Sequence, residues 1–337
     1  MFNEGWTYTD AISAAAAGQS VLAFYTQRYR HSNQATWQAR ISAGQILLDG
    51  QPTTPHTRLA RGQQLTYERS PWQEPTVPLN FPILYEDAHL WAIAKPSGLP
   101  VLPGGRFLQH TVLYQMQQRH PGEQPAPVHR LGRGTSGILL IAKSQQARAV
   151  LARQFREHTT QASHPKTSPK TSPTTHPTPT QQTFQKTYRA LIGPTTPAQF
   201  PAQLTCTYPI GKHPYPQLGY LYAHTPDGLP AKSTCTVLQR RPTSTLLDVS
   251  IQTGRPHQIR IHLAAAGYPL LGDPLYTTRG IPYPQSAAIP SDCGYHLHAH
   301  RIQFSHPQTG KSLSIEAPPP SLLQPTQSVA NPNQTPQ

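Results

Sequence analysis

The stretch His129-Arg130-Leu131-Gly132-Arg133-Gly134-Thr135-Ser136-Gly137 runs directly into the apolar segment Ile138–Ala142. Its three glycines have the G-x-G-x-x-G spacing of dinucleotide-binding loops. Such a loop must follow a strand and lead into a helix, so that the phosphates meet the helix N-terminus. Here the glycines lead instead into a run that is typical of a buried strand. The stretch therefore predicts a turn that enters a central strand, and it argues against a dinucleotide as ligand.

Short strands and a few helices are predicted on either side of this segment. Ile83–Tyr85 and Leu90–Ala94 indicate a strand, a turn and a second strand, and Ser144 can cap a helix that follows. Further short strands are predicted downstream, among them Leu246–Ile251 and Gly294–Phe304. Together these patterns predict an α+β fold with a mixed, mostly antiparallel sheet and flanking helices.

The first 75 residues form a separate pattern. Apolar residues near Val21–Tyr25 and the pair Trp37 and Ile41 indicate two helices, and Asp49-Gly50 between apolar runs indicates a hairpin. This order resembles the S-four RNA-binding module, named after a ribosomal protein, over roughly residues 20–68. The alternative is a small helical cap with a solvated basic face. The resemblance implies that arginines of this unit contact RNA: Arg28, Arg30, Arg40 and Arg58.

Changes in composition divide the chain further. We expect the main domain to occupy residues 80–158 and 183–318, since both segments carry apolar strand and helix patterns. Residues 159–182 repeat Lys-Thr-Ser-Pro and have no large apolar side chain, so we predict a disordered insertion there. Residues 319–337 are polar and rich in proline, which predicts a disordered tail.

The charge balance favours a nucleic acid as partner. The chain has 28 Lys and Arg against 14 Asp and Glu, a net charge of +14, although only 12% of its residues are charged. Arginine supplies most of the positive charge, and its planar guanidinium pairs with phosphate through two hydrogen bonds. A basic composition alone is compatible with many soluble proteins, so it indicates a partner class only together with the motifs.

Cysteine content and hydropathy exclude other classes. Three cysteines without a Cys-x-x-Cys pair provide neither a disulfide framework nor a thiolate zinc site. No apolar run approaches the length of a membrane span, and the N-terminus lacks the pattern of a secretory signal. We therefore expect a cytoplasmic monomer with no membrane partner.

Three alternating histidines raise the question of a metal. On a strand, His296, His298 and His300 would share one face. No carboxylate or thiolate lies beside them in the sequence to complete a coordination set. We therefore expect these imidazoles to pack and to form hydrogen bonds, and we expect no metal site.

Four stretches in a fixed order carry the main resemblance. They are Ile83–Val101, His129–Gly137, Lys186–Ala190 and Thr253–Leu263, the last continued by Leu271–Tyr276. In this order they resemble the RluA-type RNA pseudouridine synthases, over about residues 80–158 and 184–318. The resemblance implies an isomerase without a cofactor that acts on uridine in structured RNA, either ribosomal or transfer RNA.

The resemblance also implies roles for particular residues. Such an enzyme flips the nucleotide out of its stack, breaks the glycosidic bond, rotates the base and rejoins it through carbon five. Arg130 would fill the gap that flipping leaves. Tyr188 would stack on the base and is a candidate for removing the proton at carbon five. Arg260 would pair with the family's catalytic aspartate, and four more residues would contact RNA: His129, Arg133, Arg255 and His257.

The chain departs from the family pattern at one position. The family has His-Arg-Leu-Asp, whereas this chain has Gly132 where the aspartate is expected. Since a buried guanidinium without a partner is costly, Arg260 must pair with something else. The candidates are Asp273, Asp87 or an RNA phosphate.

Three interpretations of Gly132 follow. The chain isomerises uridine with a relocated carboxylate or a modified mechanism, or it binds RNA without isomerising it, as an RNA chaperone or ribosome assembly factor. In the third, the site has simply decayed. Decay should scatter changes over the whole motif set, yet Arg130, Tyr188 and Arg260 all match the family. The sequence therefore favours the enzyme.

Overall fold

The computed structural model describes residues 2–163, 184–193, 200–276, 279–283 and 286–326. These residues fall into two compact units. The first unit comprises Met1–Pro75 with the short segments Gly105–Gln109 and Tyr215–Gly219. The second unit comprises Thr76–Gly104, His110–Pro214 and Tyr220–Gln337.

The first unit contains two helices and a four-stranded sheet, whose order is β1-β4-β2-β3. Its elements are β1 (Trp6–Ala11), α1 (Val21–Arg28), α2 (Gln34–Ser42), β2 (Ile46–Leu48), β3 (Gln51–Pro52) and β4 (Gln64–Arg69).

Local signals explain why these elements form where they do. Ser20 caps α1 by accepting a hydrogen bond from the Ala23 amide, and Asn33 caps α2 in the same way. Asp49 and Gly50 have φ angles of 50° and 78°, which are those of the tight turn that joins β2 to β3. The helix–helix–hairpin order predicted from the sequence is therefore present.

The second unit is built on a ten-stranded sheet, whose main path is β10-β13-β14-β9-β15-β8-β6-β5. Its strands are β5 (Ile83–Glu86), β6 (Leu90–Lys95), β7 (Ala126–Pro127), β8 (Ser136–Ala142), β9 (Gln185–Ile192), β10 (Gln203–Cys206), β13 (Ser233–Arg240), β14 (Thr245–Ile251), β15 (Leu297–Ser305) and β16 (Ser312–Glu316). A separate hairpin is formed by β11 (Ile210–Tyr215) and β12 (Gly219–His224). The helices are α3 (Val112–Arg119), α4 (Gln145–Ser163) and α5 (Gln258–Ala265), and a 3-10 turn covers Ser321–Leu323.

The sheet is antiparallel except where β15 runs parallel to β8. This arrangement confirms the prediction of an α+β fold with a mostly antiparallel sheet. All seven residues of β8 are buried, as the apolar run predicts. Alternate side chains serve opposite faces: Leu139 packs in a cluster with Met116 of α3, and Leu140 packs in another with Leu151 of α4.

The structure corrects two predicted boundaries. Helix α4 continues to Ser163, whereas the sequence placed the start of a disordered insertion at residue 159. Helix α4 therefore includes the first five residues of the predicted insertion. Their polar side chains are compatible with a helix that is exposed to solvent. Residues 164–182 of that insertion lie outside the described residues.

The predicted tail also begins with ordered structure. Residues 319–326 are described, and Leu323 is buried against Leu191 and Leu246. Burial of this leucine favours an ordered backbone here, and Arg241 also donates hydrogen bonds to the carbonyls of Leu322 at 2.9 Å and Gln324 at 2.8 Å. Residues 327–337 lie outside the described part. Within that part, no helix is long and apolar enough to cross a membrane.

Gly137 permits the parallel pairing of β8 with β15. Its φ angle is 105°, and a Cβ there would overlap the backbone nitrogen and oxygen of Ala299. We expect Gly137→Ala to lower the free energy of unfolding by about 2–5 kcal/mol, from overpacking and backbone strain together. Thermal unfolding followed by circular dichroism measures this. Gly104→Ala is the control, since no described atom lies within 4 Å of a Cβ at that position; equal melting temperatures for the two variants would contradict the prediction.

Candidate functional site

One pocket of the second unit brings together half of the candidate site residues that the sequence singled out. The predicted residues that line it are Arg130, Gly132, Tyr188, Arg255, His257 and Arg260. They come from the turn before β8, from β9, and from the start of α5. Segments that are far apart in the sequence thus meet in a single pocket, as residues of one functional site must.

Arg260 forms the strongest polar contact of this pocket. Its Nε donates to Oδ2 of Asp273 at 2.7 Å and its Nη2 donates to Oδ1 at 2.8 Å, while Nη1 donates to the carbonyl of Pro290 at 3.0 Å. The two side chains are only 2% and 1% exposed. Of the partners that the sequence left open, the structure selects Asp273; Asp87 instead accepts hydrogen bonds from Tyr85 and binds His306.

The Asp273 carboxylate is fully used by these contacts. Besides the guanidinium, its Oδ1 accepts the backbone N–H groups of Leu275 at 2.9 Å and Tyr276 at 3.2 Å. Burial by itself would lower the pKa of Arg260, but the adjacent carboxylate outweighs burial and the pKa is raised. The guanidinium of Arg260 therefore stays charged, and Asp273 serves to hold it in place.

Two tyrosine rings cover the guanidinium of Arg260. Its Cζ lies 4.1 Å from the ring centroid of Tyr295 and 5.0 Å from that of Tyr276. A cation close to an aromatic face is stabilised by the ring quadrupole, and more so when water is excluded. These rings fix the orientation of Arg260 together with Asp273.

Tyr188 lies on β9 and is half-buried between two core clusters. Burial raises the pKa of its phenol to about 12. The hydroxyl is therefore protonated at neutral pH. As a ring on the wall of a pocket, it is suited to stacking against a planar base.

Gly132 faces Tyr295, a residue that sequence reasoning missed. A Cβ on Gly132 would lie 2.8 Å from the Tyr295 hydroxyl oxygen, and a Cβ on Gly134 would lie 2.9 Å from ring carbons Cε1 and Cζ. Tyr295 is 4% exposed, and its hydroxyl is 3.2 Å from that of Thr135. The ring of Tyr295 thus occupies the space that side chains at both glycines would need. Glycine at both 132 and 134 indicates that another residue packs closely against this backbone, but it does not indicate which residue.

His257 begins α5 with a left-handed backbone, at φ 54°. The Tyr276 hydroxyl donates to the carbonyl of Tyr222 at 2.7 Å, so its oxygen accepts from Nδ1–H of His257, which lies 2.6 Å away. This assignment leaves Nε2 as an acceptor. Burial, with a smaller contribution from Arg260, lowers the pKa of His257 to about 3, so the ring is neutral.

Two predicted RNA contacts are used partly or wholly inside the fold. Nε2 of His129 accepts the Leu140 amide at 3.1 Å, and its ring stacks on Phe155. Burial lowers the pKa of His129 to about 3, so this imidazole is neutral and packs against the fold on at least one face. Nε of Arg133 donates to the carbonyl of Ser291 at 2.8 Å.

Lys95 holds the turn that contains Gly132. Its Nζ donates to the carbonyls of Pro96 at 2.8 Å, Leu99 at 2.9 Å and Arg133 at 3.2 Å. The side chain is 1% exposed, and burial lowers its pKa to about 7. All three donor positions are satisfied by backbone oxygens, so Lys95 supports the site from beneath.

The arginines of the first unit differ in how much of their charge is exposed to solvent. Arg28 pairs with Asp10 at 3.2 Å, and Arg40 lies 4.5 Å from the centroid of the Trp37 ring. Arg58 is exposed and donates to the carbonyl of Gly18 at 2.7 Å, and Arg30 is exposed. Arg30 and Arg58 therefore present more of their charge to solvent than Arg40 does.

The alternating histidines bind backbone and hydroxyl groups. Nδ1 of His298 lies 2.8 Å from the Ser136 hydroxyl, and His298 and His300 both contact the carbonyl of Ala317. Among the described residues, no group of three or more potential ligand side chains is placed to hold a metal ion.

Comparisons with known proteins agree with this geometry. A family profile described as RNA pseudouridylate synthase matches residues 89–265. An uncharacterised RNA pseudouridine synthase of Synechocystis is 49% identical over 306 residues, which cover 90% of this chain and 96% of that relative. RNA pseudouridine synthase 5 of Oryza sativa is 40% identical over 363 residues, which cover 96% and 89%. A solved structure, human RNA pseudouridylate synthase domain containing 1, shares the fold with a TM-score of 0.51 at 20% identity, over 73% of this chain and 86% of that one. The chain therefore belongs to the RNA pseudouridine synthase family, as its RluA-type motifs predict.

Proposed function

We propose that this chain isomerises uridine to pseudouridine in structured RNA, ribosomal or transfer RNA, at the pocket of the second unit. The observation that carries the proposal is that Arg130, Tyr188 and Arg260 line one hollow. A uridine must leave its base stack to enter this pocket, because the glycosidic bond and carbon five are not accessible in a folded RNA.

The proposed roles follow from the surroundings of each residue. Arg130 is exposed at the rim, so its guanidinium is free to enter the gap that the flipped nucleotide leaves. Tyr188 stacks on the uracil ring. It is also a candidate for accepting the proton from carbon five, for which its protonated phenol must first lose its own proton. Arg260, neutralised by Asp273, shapes the floor as a positioning residue.

Gly132 stands, in this proposal, at the position of the family's catalytic aspartate. Among the described residues that line the pocket there is no carboxylate, and Asp273 is fully engaged with Arg260. This observation favours a second candidate function, in which the chain binds RNA as a chaperone or ribosome assembly factor without isomerising it. The two candidates differ in one measurable event, the loss of the hydrogen at carbon five.

The first unit is proposed as an S-four-like RNA-binding module. Its helix–helix–hairpin order and its exposed Arg30 and Arg58 support this role. We place the activity in the cytoplasm, where three cysteines without a disulfide framework are expected to stay reduced, and we propose that the chain acts as a monomer.

Tritium release tests the isomerase. We expect the purified chain to release tritium from ribosomal or transfer RNA transcripts made with uridine labelled at carbon five. Tyr188→Ala should lower kcat/KM by about 10- to 100-fold, since stacking contributes about 1–3 kcal/mol per base. Intact RNA binding without any release from the wild-type chain would support the binding protein instead.

Salt dependence tests the RNA contacts of the first unit. Affinity for the same RNA should fall as salt rises, because each arginine that neutralises a phosphate releases counterions. Arg30→Ala and Arg58→Ala should each reduce the slope of log affinity against log salt by about 1. Gln38→Ala, an exposed neutral change on α2, is the control. Unchanged slopes in both arginine variants would argue against this surface.

A further inference from the structure

Tyr295, Gly132 and Gly134 form one interlocked unit in the pocket. The Tyr295 oxygen lies 2.8 Å from the place where a Cβ on residue 132 would stand, and its ring fills the corresponding space at residue 134. Neither glycine can carry a side chain while Tyr295 keeps this position. The pocket therefore has an oxygen 2.8 Å from the place where the side chain of residue 132 would begin, and that oxygen belongs to a phenol.

The surroundings of this phenol suit proton transfer. Burial raises the pKa of Tyr295 and the nearby guanidinium of Arg260 opposes that rise, so the hydroxyl is protonated at rest. The same guanidinium, 4.1 Å from the ring centroid, would stabilise the phenolate once the proton has left. The Thr135 hydroxyl, 3.2 Å away, holds the oxygen in place.

We propose that Tyr295 is a catalytic acid and base that serves in place of the missing carboxylate. The inference rests on the proposed function, because it needs a flipped uridine in this pocket. It assigns the hydroxyl to the edge of the uracil that carries the glycosidic bond.

In the first step, the Tyr295 hydroxyl gives its proton to the O2 oxygen of uracil. The bond between C1′ and N1 breaks, and its electron pair goes to the uracil ring. Uracil leaves as a neutral molecule, C1′ becomes an oxocarbenium ion, and Tyr295 becomes a phenolate. General acid catalysis of this kind lowers the barrier because the leaving group departs without charge.

In the second step, the uracil makes half a turn about the axis through N3 and C6. This turn brings C5 to the former place of N1, and O4 to that of O2. The C5=C6 electron pair then forms the bond from C5 to C1′. The proton on C5 now faces the phenolate, because the edge next to Tyr295 has been exchanged.

In the third step, the phenolate takes the proton from C5, and the C–H electron pair restores the C5=C6 double bond. Tyr295 regains its hydroxyl, and the proton on O2 moves through water to N1. One proton has moved in total from C5 to N1, and no oxidant, reductant or co-reactant is consumed. A tritium on C5 passes to Tyr295 and then exchanges with water.

Tyr295→Phe is the decisive variant, tested with RNA transcripts labelled with tritium at carbon five. We expect kcat for release to fall by at least about 100-fold, with KM and RNA affinity unchanged, because only a proton-transfer group is removed. Tyr85→Phe is the matched control and should release tritium at the wild-type rate. Tyr85 lies on β5 and does not line the pocket. The substitution removes one hydroxyl, which binds Asp87 at 2.7 Å. Tyr188→Phe keeps the stacking ring and removes only the phenol hydroxyl, so it reports separately on proton transfer at Tyr188.

The outcomes separate this inference from the proposed function. An active wild type with an equally active Tyr295→Phe variant overturns the role of Tyr295 and leaves the isomerase in place. A loss of release in Tyr188→Phe but not in Tyr295→Phe assigns the proton transfer to Tyr188 and also overturns it. A wild type that releases no tritium overturns the isomerase and this inference together.

A melting experiment tests the interlocked unit without relying on activity. Gly132→Ala should lower the melting temperature of the wild-type chain by a few degrees, since its Cβ meets the Tyr295 oxygen. In the Tyr295→Phe background, which lacks that oxygen, the same substitution should cost less. Equal decreases in both backgrounds would show that the two positions are independent and would contradict the proposed placement of the hydroxyl.

Discussion

The buried ion pair between Arg260 and Asp273 is the constraint on which the pocket depends. Removing charges from water is costly, and only a two-pronged geometry with every remaining donor satisfied offsets that cost. Here the guanidinium binds both carboxylate oxygens and a backbone carbonyl, and the carboxylate also binds two backbone amides. Removing either partner would leave an uncompensated buried charge. The pair therefore fixes the start of α5 against the turn that carries Asp273.

This pairing determines which chemistry remains available. A carboxylate that neutralises a buried arginine and binds two amides is not free to attack carbon or to accept a proton. The other described side chains on the pocket wall are cations, neutral phenols, a neutral imidazole, a hydroxyl, an amide and apolar groups. Any acid–base chemistry at this wall must then use a group that is uncharged at rest; the phenols of Tyr188 and Tyr295 and the imidazole of His257 are such groups.

Local signals in the sequence were sufficient to predict much of the fold, whereas contacts between distant residues could not be predicted. Capping residues, the Asp49-Gly50 turn and the apolar run of β8 act over a few residues, so their elements could be predicted. The partner of Arg260 could only be narrowed to candidates, because a guanidinium accepts any suitably placed carboxylate or phosphate. Tyr295 was missed because it meets Thr135 across 160 residues of sequence. The end of α4 and the burial of Leu323 could not be predicted, because a polar or proline-rich composition gives little indication of a single packing contact.

The contact between Gly132 and Tyr295 also bears on whether this part of the site has decayed or is built differently from that of the family. Decay predicts that residue 132 faces a void, or a neighbour that has relaxed into the space by chance. Instead, two glycines two residues apart both face a single tyrosine ring, and the surrounding motif residues Arg130, Tyr188 and Arg260 all remain in the pocket. An aspartate at residue 132 would have its Cβ 2.8 Å from the tyrosine oxygen, so the ring would have to move. A side chain at residue 132 therefore requires a shift of residue 295 as well, which makes the two positions structurally interdependent.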